Sequence, residues 1–211
     1  MKGIRKRAGL WTLIVALAII NVFGAIGAGN ASAEDGETHW LTFKYDNFTG
    51  ADQNDTLSIN NDAAVYGSAL RLTAATPDQT GSVFNQSRIY STNHYSFSTY
   101  FAFKMSEQGN RQNFQPGADG ITFTIQTQAS NAGTIGSGIG YGGIAPSFAV
   151  KFDTFQNGEL GDPSDNYIGL AENGIVANTA PAWYFDIPKE EYDMKDGNVH
   201  YAWIDYDGAA K

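Results

Sequence analysis

Apolar and polar residues alternate with a period of two along much of the chain that follows residue 34. The alternation is clearest over residues 97–105, 121–126, 148–153 and 199–204. Successive side chains of a β-strand point to opposite faces, so this period predicts half-buried antiparallel strands. Turn-rich stretches of Gly, Asn, Asp and Ser separate these segments, and no long helical period is present. The pattern predicts one all-β domain, either a sandwich or a closed barrel.

The N-terminal segment has a different pattern, typical of an export leader. A basic start is followed by an apolar stretch over residues 10–20, and Ala31-Ser32-Ala33 is a small-x-small cleavage signal. We therefore interpret residues 1–33 as a signal peptide and residues 34–211 as the mature domain. A retained membrane anchor is the alternative. Either interpretation places the domain outside the cytoplasm, secreted or at the cell surface.

The charge balance and the cysteine content limit the partners of the chain. It has 13 Lys and Arg against 22 Asp and Glu, a formal net charge of −9. Since the leader holds several of the basic residues, the mature part is more acidic still. Such a surface disfavours nucleic acid and anionic membranes, so we expect neither a nucleic-acid partner nor membrane insertion of the mature domain. With no cysteine, an exported domain must fold without disulfides.

An oxygen-rich loop follows the predicted strand at residues 148–153. Asp153, Asn157 and Asp162 lie close together in sequence, and Phe155 places a backbone carbonyl and an aromatic ring between them. Carboxylate, amide and carbonyl oxygens suit a hard cation such as Ca²⁺. A flat apolar ring beside a cation also suits a sugar. The alternative for these residues is an ordinary solvated turn.

Two further segments are candidates for ligand contacts. Asp119 stands between Ala118 and Gly120, directly before a predicted strand, where its carboxylate can accept hydrogen bonds from neighbouring sugar hydroxyls. Taken alone, an Asp-Gly pair is more often a turn. The glycine cluster at residues 136–143 contains a formal G-x-G-x-x-G, but a strand follows it and no helix does, so a dinucleotide site is excluded. The cluster is either a loop whose N–H groups approach a ligand or a flexible connector.

In order and spacing, these segments resemble the legume-type (L-type) lectin family across most of the mature chain. The resemblance identifies the chain as a bacterial-like, C-terminally incomplete member. It implies a concanavalin-like jelly-roll β-sandwich of two antiparallel sheets that binds carbohydrate and has no catalytic activity. The segments that carry it are residues 48–50, 69–73, 95–99, 118–120, 140–141, 149–155, 162–164, 168–169 and 203–207.

The resemblance also implies roles for individual residues. Asp119 is similar to the sugar-binding Asp of the family, which follows a cis peptide bond, and Gly140 to the glycine whose N–H meets the sugar. Phe155 resembles the aromatic that stacks on the sugar, and Asn157 resembles the amide that bonds it. The implied calcium ligands are Asp153, Phe155, Asn157 and Asp162.

One departure from the family concerns a second metal. Plant members hold a transition metal beside the calcium with a Glu and a His, and the matching positions here are Lys151 and Tyr167. Neither side chain is a good ligand for Mn²⁺, so we expect Ca²⁺ without Mn²⁺. We also expect the Lys151 ammonium to lie near Asp153 and Asp162 and to neutralise part of their charge. The alternative is that Lys151 points to solvent.

Another departure concerns the end of the chain. Several further strands follow in the family, including the loop that selects the monosaccharide, so the sugar and the oligomeric state are left open. A sandwich without late strands has unpaired edges, and we expect such a chain to be poorly stable alone.

Two rival functions use a related sandwich. Laminarinase-like glycoside hydrolases need paired carboxylates around the position of Asp153, but Lys151 and Gln156 stand there instead, so we expect no hydrolysis. An adhesive or structural surface module would keep the fold without recognising sugar. The presence of both Asp119 and Asn157 argues against that alternative.

Overall fold

The computed structural model describes residues 42–53, 56–89, 96–106, 117–128, 133–178 and 183–208. The chain divides into two compact units, Met1–Tyr45 and Asp46–Lys211. Only residues 42–45 of the first unit are described, and they form neither strand nor helix. The predicted signal peptide at residues 1–33 lies outside the described residues. Within the described residues, none of the helices has the length and apolar character needed to span a bilayer.

The second unit is built from antiparallel strands. Among the described residues, helix is limited to 3₁₀ conformation at Ala51–Gln53, Gly136–Gly138, Gly158–Leu160 and Trp183. All strand pairings between these elements are antiparallel. The strands are β1 (Leu57–Asn61), β2 (Ala64–Tyr66), β3 (Ala69–Arg71), β4 (Gly81–Asn85), β5 (Phe97–Ser106), β6 (Gly120–Gln126), β7 (Ser147–Asp153), β8 (Tyr167–Glu172), β9 (Tyr184–Asp186) and β10 (Asp196–Tyr206).

Two of the sheets form the layers of the sandwich. One has the order β6-β7-β8-β9 and the other pairs β5 with β10, while β1 pairs with β4 and β2 with β3. Inward side chains from both layers meet in one apolar core, which is why the alternating segments predicted β5, β6, β7 and β10. The all-β prediction is confirmed. The core includes Phe101, Phe103, Phe123, Val150, Phe152, Met194 and Ala202.

Strand β10 places large aromatic side chains on its exposed face. His200 and Ala202 are buried, whereas Tyr201 and Trp203 lie on the exposed face. Tyr201 stacks on Tyr100 of β5, with ring centroids 6.1 Å apart. The period of two was therefore sufficient to predict the strand, but hydrophobicity alone does not identify its buried face.

Strands β7 and β8 place polar side chains on the face opposite this core. Val150 and Phe152 of β7 enter the core, so Lys151 and Asp153 point the other way. The antiparallel register pairs Asp153 with Tyr167 and Lys151 with Gly169. Tyr167 is thereby set beside Asp153, and Lys151 faces a residue without a side chain.

Candidate functional site

The loops before β6 and after β7 lie side by side because their strands are neighbours. Gly120 pairs with Asp153 across the sheet. Thr154 joins the two loops: its N–H donates to the Asp119 carbonyl at 2.9 Å, and its hydroxyl donates to the Gly117 carbonyl at 2.6 Å. The structure therefore brings the Asp119 segment against the start of the oxygen-rich loop.

Asp119 has the backbone geometry that the family resemblance implies. The Ala118–Asp119 peptide bond is cis. The side chain is half-buried. Burial and, to a smaller degree, the negative charge of Asp162 raise the pKa of the Asp119 carboxyl above its ordinary value. The carboxyl of Asp119 is therefore within range of the charge of Asp162.

The glycine-rich loop packs against the Asp119 segment and forms a closed turn. A Cβ placed on Gly120 would come within 2.9 Å of the Ile139 side chain, so the loop approaches closely there. Thr134 and Gly142 form an isolated antiparallel bridge. Gly140 has φ +69°, and its N–H donates to the Thr134 carbonyl at 2.9 Å. That N–H is thus engaged within the loop, and the sugar contact of Gly140 stays a prediction.

The two carboxylates of the oxygen-rich loop are nearly buried and close to each other. Asp153 and Asp162 are 6% and 7% exposed. The Phe155 N–H donates to Asp153 Oδ1 at 3.2 Å, and the Asn157 N–H donates to Asp162 Oδ2 at 2.7 Å. The other oxygen of each carboxylate contacts the Tyr167 hydroxyl, at 2.9 Å and 2.5 Å. The backbone of the loop therefore binds one oxygen of each carboxylate, and the Tyr167 hydroxyl brings the other two oxygens together.

This pair of carboxylates fits a hard cation. Burial raises the pKa of Asp153 to about 7; the Phe155 amide opposes the shift and the charge of Asp162 adds to it. In the described part of the chain, no group of three or more His, Cys, Asp and Glu side chains is arranged to hold a metal. A cation here would therefore use two carboxylates with the neutral oxygens of Asn157 and Phe155. An all-oxygen donor set of this kind suits Ca²⁺.

Lys151 is buried behind the carboxylates rather than directed to solvent. It is 1% exposed, so the solvent-facing alternative is wrong. Its Nζ donates to the Tyr167 hydroxyl at 2.9 Å, the Val176 carbonyl at 2.7 Å and Asn178 Oδ1 at 3.3 Å. Three acceptors match the three N–H donors of an ammonium. Burial lowers the pKa of Lys151, and the charge of Asp153 opposes that shift.

Tyr167 connects Lys151 to both carboxylates. Its oxygen accepts from Lys151 and from Asn178 Nδ2, the latter at 3.0 Å, and its hydroxyl is directed at Asp153 and Asp162. Burial and the charge of Asp153 raise the pKa of Tyr167 well above its usual range, so the group remains a hydroxyl donor. Asn178 also donates to Asp162 Oδ1 at 2.8 Å. Lys151 thus reaches Asp162 by two hydrogen-bonded routes.

Three residues of the site were not foreseen from the sequence. Asn178 comes from a loop after β8 and belongs to no motif, so nothing in the sequence marks it. Thr154 was part of the matching segments but had no role assigned to it. Lys195, 2% exposed, donates to the Thr154 carbonyl at 2.8 Å and supports the same junction. These residues are identified by their buried polar contacts, which only the folded structure reveals.

Comparison with known proteins places the chain in a family. The family described as "Legume lectin domain" matches residues 40–211, most of the chain. The chain is 31% identical over 182 residues to "L-type lectin-domain containing receptor kinase I.7" of Arabidopsis thaliana, covering 79% of this chain and 26% of that protein. It is 28% identical over 190 residues to receptor kinase S.1 of the same group and organism, covering 80% and 28%. The chain therefore spans about a quarter of the length of these curated relatives.

Solved legume lectins share the fold. The peanut lectin matches with a TM-score of 0.57 and 25% identity, covering 75% of this chain and 68% of that one. The metal-free lectin I-B4 of Griffonia simplicifolia matches with a TM-score of 0.63 and 24% identity, covering 81% and 75%. The predicted jelly-roll β-sandwich is thereby confirmed. The chain belongs to the legume lectin domain family.

Proposed function

We propose that this domain is a calcium-dependent carbohydrate-binding lectin that acts outside the cytoplasm, secreted or at the cell surface. The observation that carries the proposal is the junction at Thr154, which bonds the Asp119 segment to the loop of Asp153 and Asp162. This junction supports a single site that combines a sugar-binding carboxylate with a cation-binding pair. The export leader expected at residues 1–33 supports the location.

The calcium ion would be held by oxygen atoms of one loop. Asp153 and Asp162 would supply carboxylates, Asn157 its amide oxygen and Phe155 its carbonyl. Bound calcium would neutralise the buried pair and stabilise the loop that carries Phe155 and Asn157. We propose no Mn²⁺ site, because Lys151 occupies the space behind the pair and carries a positive charge.

The sugar would lie across the Asp119 segment and the oxygen-rich loop. Asp119 would accept hydrogen bonds from hydroxyl groups, Asn157 would donate from its amide, and the half-buried ring of Phe155 would stack on the apolar face. Because the Gly140 N–H is engaged with Thr134, we assign Gly140 to the shape of the loop beside the sugar.

Solved relatives support carbohydrate as the ligand class. The basic winged bean lectin was solved with Tn-antigen and the Bauhinia forficata lectin with GalNAc. The acidic winged bean lectin was solved with methyl-α-D-galactose. Galactose-type sugars therefore belong in the first panel of ligands, beside mannose-type and glucose-type sugars.

The domain is non-catalytic. Lectins of this family bind carbohydrate without transforming it, which confirms the expectation that the chain is not a hydrolase. Around Asp153, the positions where a hydrolase carries its paired carboxylates hold Lys151 and Gln156.

A glycan array measured with and without Ca²⁺ tests the proposal. The site variant is Asp119→Asn. The control is Asp186→Asn, which replaces an exposed aspartate of β9. We expect calcium-dependent binding by the wild type and the control. The site variant should bind about 10–100-fold more weakly, because a charge-assisted hydrogen bond is lost. Absence of glycan binding would favour the surface module, and release of sugar from a polysaccharide would favour the hydrolase.

A further inference from the structure

The buried ammonium of Lys151 lies close to two buried carboxylates without being directly bonded to them. The Tyr167 hydroxyl stands between, so Nζ is two hydrogen bonds, within about 6 Å, from oxygens of Asp153 and Asp162. At such a separation in a buried site, a positive charge interacts strongly with negative ones. Lys151 therefore offsets part of the repulsion between the carboxylates.

The network is satisfied group by group, which distinguishes it from a chance burial of a lysine. Lys151 has three acceptors. The two N–H bonds of the Asn178 amide reach Asp162 and Tyr167. Buried polar groups without partners cost about 1–3 kcal/mol each, so a fully partnered network fixes its members in place.

The fold also leaves space for this network. Gly169 lies opposite Lys151 in the β7–β8 register. A Cβ at Gly169 would stand 3.1 Å from both Lys151 Cε and Tyr167 Cε2. Any larger residue at this position would displace the lysine stem or the tyrosine ring. The strand pairing thus provides the room that the two side chains occupy.

We propose that Lys151 is an internal counter-ion that, through Tyr167 and Asn178, holds Asp153 and Asp162 in position when no metal is bound. The cation site is then preformed, rather than assembled by the ion. Lys151 is a positioning residue, because it acts on the carboxylates through other groups. The inference rests on the proposed function only in treating these carboxylates as calcium ligands.

A double-mutant cycle in metal-free protein tests the proposal. Lys151→Met, Asp153→Asn and the double variant are compared by thermal unfolding in chelator at pH 8. If Lys151 offsets the charge of the two carboxylates, removing it should destabilise the protein less when Asp153→Asn has already removed one of those charges. We expect the fall in Tm caused by Lys151→Met to shrink by about half or more in the Asp153→Asn background. An equal fall in both backgrounds would overturn the proposal.

The control for this cycle is Tyr141→Phe. Its hydroxyl is buried and contacts the Ala171 carbonyl and Ser147, so the fall in Tm should be the same in both backgrounds. If Lys151→Met yields no folded protein, recovery of folded protein by the added Asp153→Asn supports the proposal, and failure to recover it overturns the proposal.

A calcium arm separates this inference from the proposed function. Lys151 neutralises part of the charge that a bound cation would otherwise neutralise. Ca²⁺ should therefore raise the Tm of Lys151→Met more than that of the wild type. A smaller or equal rise would contradict the inference. The Tyr141→Phe rise should equal the wild-type rise. If Ca²⁺ does not raise the Tm of the wild type, the proposed function fails, while the metal-free cycle still decides the role of Lys151.

Discussion

Replacing Tyr167 by Phe removes one oxygen atom on which the cation site depends. The ring and its packing are kept. The hydroxyl that contacts Asp153 and Asp162 is lost, and Lys151 and Asn178 each lose an acceptor. The positive charge stays in place, so the variant tests how the carboxylates are positioned rather than how they are neutralised.

The size of the effect follows from these contacts. A hydrogen bond to a charged group is worth about 1.5–3 kcal/mol, and disrupting a buried ionic network costs about 3–5 kcal/mol of unfolding free energy. Groups that orient metal ligands typically change metal affinity by about 10–100-fold. We therefore expect Tyr167→Phe to lower the unfolding free energy by about 3–5 kcal/mol and to weaken Ca²⁺ binding by about 10–100-fold.

Isothermal titration of metal-stripped protein with Ca²⁺ measures the affinity, and denaturant unfolding measures the stability. Tyr141→Phe is the matched control, because both tyrosines are 0% exposed and both hydroxyls are hydrogen-bonded. The control should lose stability but keep its calcium affinity. If Tyr167→Phe binds Ca²⁺ within about twofold of wild type, or if the control loses as much affinity, the Tyr167 hydroxyl does not position the calcium ligands.

Two further predictions concern packing and acid stability. Gly169→Ala places a methyl group 3.1 Å from Lys151 Cε and should lower the unfolding free energy, measured with denaturant, by about 1–3 kcal/mol. The control Gly158→Ala, whose added methyl group would have nothing within 4 Å, should be close to neutral. Equal losses in the two variants would contradict this prediction. Burial alone would raise the pKa of Asp165, but the hydrogen bond from Lys189 and nearby positive charge outweigh it, so its pKa is lowered. Its contribution to stability is present above the unfolded value of about 4 and is lost as pH falls below it. Unfolding free energy measured against pH should therefore fall less steeply below about pH 4 in Asp165→Asn than in wild type, with a difference of up to about 1 kcal/mol. The same pH dependence in both proteins would contradict this prediction.

Alternation predicted β5 and β7 from residues 97–105 and 148–153, and both strands place large apolar side chains in the core at every second position. It also predicted β10, although that strand buries His200 and Ala202 and leaves Tyr201 and Trp203 exposed. Strand β8 was matched only through the family resemblance, because its buried face carries Tyr167, Gly169 and Ala171, which do not form an apolar period. At position 169 the residue is a glycine because the Lys151 side chain, on the neighbouring strand, occupies the space that a Cβ would need.

The candidate site was only partly predictable for a related reason. Asp153 and Asp162 are near each other in sequence, so their convergence could be expected from spacing. The contact of Tyr167 with both carboxylates and the contribution of Asn178 depend on how separate loops meet in the fold. The engagement of the Gly140 N–H depends on the turn that its own loop forms, which composition does not reveal.

Calcium-dependent sugar binding is tested most directly by glycan binding of the metal-stripped chain before and after Ca²⁺ alone is restored. We expect a panel of galactose-, mannose- and glucose-type sugars to show no binding in chelator, and Ca²⁺ without Mn²⁺ to restore binding to at least one of them. Binding that persists in chelator, or that returns only when Mn²⁺ is added, would show that the site does not depend on Ca²⁺ alone.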